Sequence, residues 1–378
     1  MTSPLRLPST HPQPAEPPVP SGRAVQLLLW FPMRIERAIV PYLEHAGVSW
    51  ARLDDGLGVK LVLPDARVGP VCLGLAECLS PVEAATTKAL RLAADQAPQL
   101  ADLAKVSTLR HLALLHQSRW LSEILARNQL TSHFQPIVHA QDTSRIFAHE
   151  ALLRAQDAHG NPVPPLRLIQ AARETNNMRD LELQAQRAAL KGMTVHAVPT
   201  TVFVNVNPTC LGEAASALDE TVQLIDRLGI PHQQVVFEIV EMDSIADVEA
   251  FGRAMRAYKE AGFRFALDDL GSGYSGLNLV HQLRPDFIKL DMALVRHVHQ
   301  DAYKAVITQM VIELARRLGL KTIAEGVEHL GELAWLRENG VDFVQGYLIA
   351  KPCSPPATST PAIGDDGRIA AVRISQAS

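Results

Sequence analysis

Eleven side chains able to do chemistry stand at the ends of short β-branched runs: Glu150, Asn205, Glu238, Glu241, Asp268, Asp269, Lys289, Asp291, Glu325, Glu328 and Gln345. If those ends share one face of a fold, the seven carboxylates of residues 150, 238, 241, 268, 269, 325 and 328 converge around a single lysine. So many like charges in a low-dielectric mouth force protonation or unfolding unless divalent cations neutralise them. The candidate ligands are all oxygen donors, which suits Mg2+, Mn2+ or Ca2+ and disfavours a zinc site built from Cys and His. In the adjacent pair Asp268-Asp269, one carboxylate can bridge two ions while its neighbour holds the second, as two-metal phosphoryl hydrolysis requires. Arg154, four residues past Glu150, adds a planar fork suited to phosphate oxygens. Phosphoester hydrolysis follows as the chemical class.

The elements that must position these groups are legible as alternation. The runs 133–138, 146–154, 201–206, 235–240, 263–267, 286–290, 321–327 and 342–347 read as strands. Helical patterns over 214–228, 246–261, 302–318 and 329–339 separate several of them. Such alternation predicts βαβ units and a parallel sheet, and eight strands within about 220 residues is the arithmetic of a (β/α)8 barrel. A doubly wound open sheet would call for a glycine-rich phosphate loop after its first strand, and neither GxGxxG nor GxxxxGK[ST] occurs there. On the run 286–290, Lys289 shares a face with Phe287 and Asp291, which points it inward. His149 falls on the opposite face from Glu150 and reads as a packing residue.

In order along the chain, FQPIV (134–138), HEALLR (149–154), VNVNP (204–208), FEIVE (237–241), LDDLGSGYSGL (267–277), DFIKLD (286–291), AEGVE (324–328) and QGY (345–347) resemble the signature motifs of the EAL-domain family. The tripeptide Glu150-Ala151-Leu152 is a weak signal alone, since all three residues are common helix formers; the ordered set carries the resemblance. It implies a TIM-like barrel that hydrolyses the bacterial second messenger cyclic di-GMP to linear pGpG with two Mg2+ or Mn2+ ions. Carried over residue by residue, Glu150, Asn205, Glu238 and Asp268 hold one ion, and Asp268, Asp269 and Glu325 surround the other. Lys289 steadies the attacking water or the nonbridging oxygens, with Glu325 alternatively the general base. Gln135 and Arg154 contact the dinucleotide, Gln345 completes the site, and Asp291 and Glu328 are expected beside the substrate. Glu241 anchors the loop from Gly271 to Ser275, a lever between the second metal and a homodimer formed through the barrel. Three departures surround that loop: Leu270 replaces an aromatic residue, Val240 a hydroxyl-bearing one, and Gly276 a serine. None removes a ligand. A catalytically silent cyclic di-GMP receptor signalling through its N-terminal half is the alternative reading.

The whole chain has 378 residues with 47 % hydrophobic and 20 % charged residues, an ordinary globular composition. Against 36 Lys and Arg stand 40 Asp and Glu, for a formal charge of -4; no global basic field exists to hold a nucleic acid polymer. Four scattered cysteines without CxxC spacing fit a reduced, cytoplasmic protein, and neither a signal peptide nor a membrane span is expected. We expect a disordered proline-rich tail over 1–21, an N-terminal α/β module with regulatory or dimerising function and a long connecting helix over 22–117, the barrel over 118–353 and a C-terminal tail over 354–378. The runs LLLWF, VKLVL and VCLGL suggest a small sheet, and 82–130 contains Ala-rich and Leu-rich helical stretches.

Overall fold

The computed structural model describes residues 24–53, 56–208, 216–240, 247–270, 276–364 and 368–370, without the side chains of 216–218, 250, 269, 270, 276, 277 and 370. The proline-rich stretch, Cys210, Glu241, the side chain of Asp269 and the loop from Gly271 to Ser275 lie outside the described residues. The chain divides into two compact units, Met1–Arg119 and Trp120–Ser378.

The first unit is built on an antiparallel sheet of β1 (Ala24–Trp30), β2 (Ser49–Arg52), β3 (Gly58–Pro64), β4 (Lys88–Ala93) and β5 (Ser107–Thr108), in the order β2-β3-β1-β4-β5. Leu27, Leu29 and Leu61 on one face pack with Ile35, Ile39 and Leu43 from the helix Met33–His45. Three expectations are corrected here. VCLGL is not a strand but part of the helix Asp65–Glu77, whose buried Val68, Val71, Cys72 and Leu75 fall at the i, i+3, i+4, i+7 spacing of one helical face. Within the stretch read as helical, Lys88–Ala93 is a strand, held by full pairing to β1, because sheet partners decide so short an apolar segment. The long connecting helix is likewise two helices, Leu109–Gln117 and Arg119–Ala126, parted at Ser118.

The second unit is a closed eight-stranded barrel of β6 (Leu130–His139), β7 (Ile146–Gln156), β9 (Thr201–Val206), β10 (Val235–Ile239), β11 (Arg264–Leu270), β12 (Phe287–Leu290), β13 (Lys321–Ala324) and β14 (Phe343–Val344), with a short β8 (Pro162–Val163) on the edge of β7. The predicted helices appear as Ser216–Leu228, Val248–Glu260, Ala302–Leu318 and Leu330–Glu338. The sheet is not wholly parallel, as expected from the alternation. β6 runs antiparallel to both its neighbours, β7 and β14. Only six residues separate β6 from β7, enough for a hairpin and too few for a crossover. Past the last barrel strand, Thr143 donates to the Pro361 carbonyl at 2.7 Å and Ile363 is buried in the barrel's cluster, while Ala362–Ile363 (β15) pairs with Ile369–Ala370 (β16). Residues 360–363 of the expected tail are thus held against the barrel.

Strand alternation sorts the barrel's side chains. Val204, Phe237, Phe265 and Ile288 join the outer core beneath the helices. Ile137, Ala148, Phe203, Val236, Ala266, Phe287, Ile323 and Phe343 form an apolar layer, one residue from each strand.

Candidate active site

Two residues further toward the mouth on every strand, the interior turns polar. From the apolar layer, Ala148 leads to Glu150, Phe203 to Asn205, Val236 to Glu238, Ala266 to Asp268, Phe287 to Lys289, Ile323 to Glu325 and Phe343 to Gln345. On the reversed β6 the step runs backward, from Ile137 to Gln135. The period of two that puts one layer inside puts the other there as well.

Lys289 is the centre. It is 1 % exposed, and its Nζ contacts Glu238 and Glu325 closely, with Glu150 Oε2 at 3.3 Å and Asp268 Oδ1 at 3.6 Å. Burial alone would lower its pKa, but Glu150, Glu238, Glu325 and Asp268 outweigh it and hold the ammonium well above its ordinary value. Burial pushes the Glu238 carboxyl well above the usual carboxylate range; Lys289 opposes this, and Glu150, Asp268 and Glu325 reinforce it. Glu325, 20 % of whose side chain is exposed, is raised to about 8 by burial, against the pull of Lys289 and with Asp268 and Glu150 adding to the rise.

Hydrogen bonds orient the rest. Gln345 Nε2 donates to Glu150 Oε2 at 2.7 Å and to Gln135 Oε1 at 3.1 Å, and Gln135 Nε2 donates to the Ala350 carbonyl at 3.0 Å. Asn205 Nδ2 approaches Glu150 Oε1 at 3.5 Å. Glu325 extends the β13 ladder, its N–H donating to the Leu290 carbonyl at 3.1 Å. Gly346 allows the next segment to close in, because a Cβ there would lie 2.1 Å from the Val327 carbonyl oxygen.

At Asp268 the pairing of β11 with β12 shifts register: Leu267 faces Ile288 and Leu270 faces Leu290, so two aspartate positions oppose Lys289 alone. Such a bulge re-aims a side chain beside an active site. Arg154 lies on the Glu150 face of β7, half-buried, its Nη1 donating to the Leu153 carbonyl at 2.8 Å.

The expected convergence of seven carboxylates reduces, among the described residues, to four around Lys289. Glu328 is drawn away, accepting from Arg296 Nη2 at 2.7 Å, because β13 ends at Ala324 and the chain turns there. Asp291 caps the short helix Met292–Val295, accepting from the Ala293 N–H at 2.7 Å. His149 is buried between Thr200 Oγ1 at 2.8 Å and the Ala357 carbonyl at 2.9 Å, a structural role as expected.

Sequence reasoning missed Gln186, buried on the helix Met178–Val195. Thr221 donates to its Oε1, and its Nε2 reaches Glu182 Oε1 at 3.1 Å and the Asn205 carbonyl at 3.5 Å; Glu182 Oε1 also accepts the Asn207 N–H at 2.7 Å. This chain braces the strand end that presents Asn205. A glutamine on the buried face beside Leu190 and Met193 was the available signal.

The layer suits a hard cation. Oxygens of Glu150, Glu238 and Glu325 lie within 4.8 Å of one another, and Glu238 Oε2 and Asp268 Oδ1 are buried without hydrogen-bond partners. A buried carboxylate oxygen left so costs free energy that a cation removes.

The EAL-domain model matches residues 118–352. The chain belongs to the EAL-domain family. Its EAL region is similar to the cyclic di-GMP phosphodiesterase PdeB of Shewanella oneidensis, 27 % identical over 61 % of this chain and 27 % of that protein. It is 31 % identical to the cyclic di-GMP phosphodiesterase NbdA of Pseudomonas aeruginosa over 63 % of this chain and 31 % of that protein. The chain spans less than half the length of these curated relatives. Among solved structures, the c-di-GMP-bound form of a standalone versatile EAL protein from Vibrio cholerae O395 matches with a TM-score of 0.53 and 30 % identity, covering 61 % of this chain and 95 % of that one. The EAL barrel therefore accounts for the second unit. No helix among the described residues is long and apolar enough to cross a membrane.

Proposed function

We propose that the EAL barrel hydrolyses cyclic di-GMP to linear pGpG in a reaction dependent on divalent metal. The observation that carries this reading is the polar layer itself: an oxygen-only ligand set, with buried acids that are unsatisfied alone, closed around one lysine. The relatives named as cyclic di-GMP phosphodiesterases and the structure solved with c-di-GMP bound support the choice of substrate. A silent receptor would have no need to retain every expected ligand.

In this reading Glu150, Asn205, Glu238 and Asp268 hold one Mg2+ or Mn2+, and Asp268, Asp269 and Glu325 a second. Bound there, the ions neutralise the layer and act as Lewis acids toward the phosphoryl oxygens. Lys289, a fixed ammonium within the layer, stabilises negative charge that builds on the phosphorus oxygens as water adds. In the alternative role, free of the second ion, Glu325 in its ionised form accepts the proton of that water. The P–O bond to one ribose 3′ oxygen breaks, and the released oxygen takes up a proton from solvent water. Arg154 grips a phosphate of the dinucleotide, and Gln135 and Gln345 line the floor beside Glu150.

The N-terminal unit is a regulatory or dimerising module in this reading. Exposed Tyr303, Val306, Ile307 and Met310 on the helix Ala302–Leu318 offer an apolar stripe for pairing two barrels. Glu241 and the loop from Gly271 to Ser275 would couple that pairing to the second ion. The free thiols of Cys72, Cys78 and Cys353 suit the cytoplasm.

Incubating the purified chain with cyclic di-GMP and resolving the products by chromatography tests the reading. Linear pGpG should appear with Mg2+ or Mn2+ and vanish with chelator, and Ca2+ should inhibit because it prefers longer bonds and more ligands. Full turnover in excess chelator would overturn the metal requirement.

A further inference from the structure

On the turns that follow β12 and β13, a second group of metal-ligating side chains converges with a different donor chemistry. His297 follows the short helix Met292–Val295, and His329 and Glu332 open the helix Leu330–Glu338. Ligand atoms of the three lie within 4.8 Å of one another. His297 Nδ1 is 4.0 Å from Glu332 Oε1, and the two imidazoles lie 5.4 Å apart, inclined by 16°.

The carboxylate is set in place before any ion arrives. Glu332 is wholly buried; its Oε1 accepts the His297 N–H at 2.9 Å, and its Oε2 accepts the N–H groups of Glu328 at 2.9 Å and His329 at 3.0 Å. Burial would raise its pKa, yet these three amides bring it below the usual range, so it is anionic at neutral pH. Backbone hydrogen bonds of this kind are what fixes the orientation of a ligating carboxylate. Oε1, with a single amide donor, keeps a lone pair on the side of the His297 ring. The nearby guanidinium of Arg296 is neutralised by Glu328 at 2.7 Å. His297 holds a backbone φ of +56°, a conformation unfavourable for a residue with a Cβ.

We propose that His297, His329 and Glu332 form a zinc site, with a fourth position open to water. Two imidazole nitrogens and one carboxylate oxygen are a three-ligand set that Zn2+ takes in tetrahedral geometry, whereas the oxygen-only layer around Lys289 suits Mg2+. Both rings are exposed, so the turn about Cβ–Cγ that aims their nitrogens at one point costs little. Zinc held there ties together the turns that leave β12 and β13, the strands that lead to Lys289 and Glu325.

The test uses the full chain in saturating Mg2+ and reads metal binding alone, independent of hydrolysis. Zn2+ affinity is measured by competition with a chromophoric chelator, and Co2+ is added as a spectroscopic substitute. One equivalent of Zn2+ should bind, with the intense visible bands of tetrahedral Co2+. Replacing either ligand, His297→Ala or His329→Ala, should weaken binding by at least about 100-fold and abolish those bands. Both histidines are exposed, so the variants fold, and an unchanged melting temperature without zinc verifies it. Zinc at a hundredfold excess over Kd should raise the melting temperature of the parent by a few degrees and of neither variant. Equal zinc affinity in parent and variants, or no tetrahedral Co2+ spectrum, would overturn the site.

Discussion

Phe287 and Lys289 enter the same barrel interior two residues apart on β12, and their surroundings are opposites. Phe287 meets the rings of Phe203 at 5.3 Å and Phe147 at 5.8 Å in a layer of apolar residues, with the Arg264 guanidinium over its ring at 5.6 Å. Lys289 meets four carboxylates. Burial in the first layer stabilises the fold at about 25 cal/mol per Å2 of apolar surface; burial in the second raises the free energy of every charge that has no counterion. The barrel is stable enough in one layer to hold the other in a state that only a ligand relieves, a division common in enzymes whose sites oppose stability.

Substitutions should separate the layers. The largest effect is expected from Glu150→Ala, which removes an oxygen ligand and the partner of Gln345: cyclic di-GMP turnover should fall on the order of 1000-fold or more while the melting temperature stays near that of the parent. Near-normal turnover would show that the polar layer is not the catalytic one. Phe287→Ala should do the reverse, costing about 3–5 kcal/mol in denaturant unfolding and leaving kcat of the surviving folded fraction close to normal. Next, Arg154→Ala should raise KM about 10- to 100-fold through the lost charge-assisted phosphate contact, with kcat little changed; an equal fall in kcat would place Arg154 in the transition state instead.

A smaller effect concerns pH. Glu325 titrates at about 8 in the fold, against 4.5 for an unperturbed glutamate. Between those values the metal-free fold keeps a proton that the unfolded chain has released. Its stability should therefore fall as pH rises from about 5 to 8 and level off above. Mg2+ should bind more tightly over the same rise, since it competes with that proton. Melting curves with chelator and with Mg2+ across this window check both slopes; parallel curves would remove Glu325 from the ligand set. Smallest of all is the expected effect on stability of Glu238→Gln: the melting temperature of the metal-free protein should stay near that of the parent, because burial already holds that carboxyl toward its neutral form, while turnover is lost with the ligand.

The layer was largely legible because strand alternation acts at short range. Glu150, Asn205, Glu238, Asp268, Lys289, Glu325 and Gln345 each sit a fixed step beyond a buried apolar residue, and residue types along one strand reveal that step. Glu328 and Asp291 illustrate the limit. One residue past a strand end, direction depends on how the chain turns, and there Arg296 and a helix cap claimed them. In the first unit, VCLGL and KALRLA are short apolar runs that either helix or strand could use; pairing with β1 makes KALRLA a strand, while VCLGL continues the helical face begun at Val68.

By itself the sequence determined the donor chemistry of the site, oxygen ligands with one lysine and no histidine, because that depends on residue types alone. It also determined the number of barrel strands and the face on which Glu150, Asn205, Glu238, Asp268, Lys289 and Glu325 stand. Only the tertiary structure decided that β6 runs backward, which brings Gln135 to within 3.1 Å of Gln345, and that the register shift on β11 sets two aspartate positions against one lysine. It also decided which acids keep their protons. Pairing direction, register and burial are properties of chain closure over two hundred residues, and a charge's free energy depends on the neighbours that closure supplies.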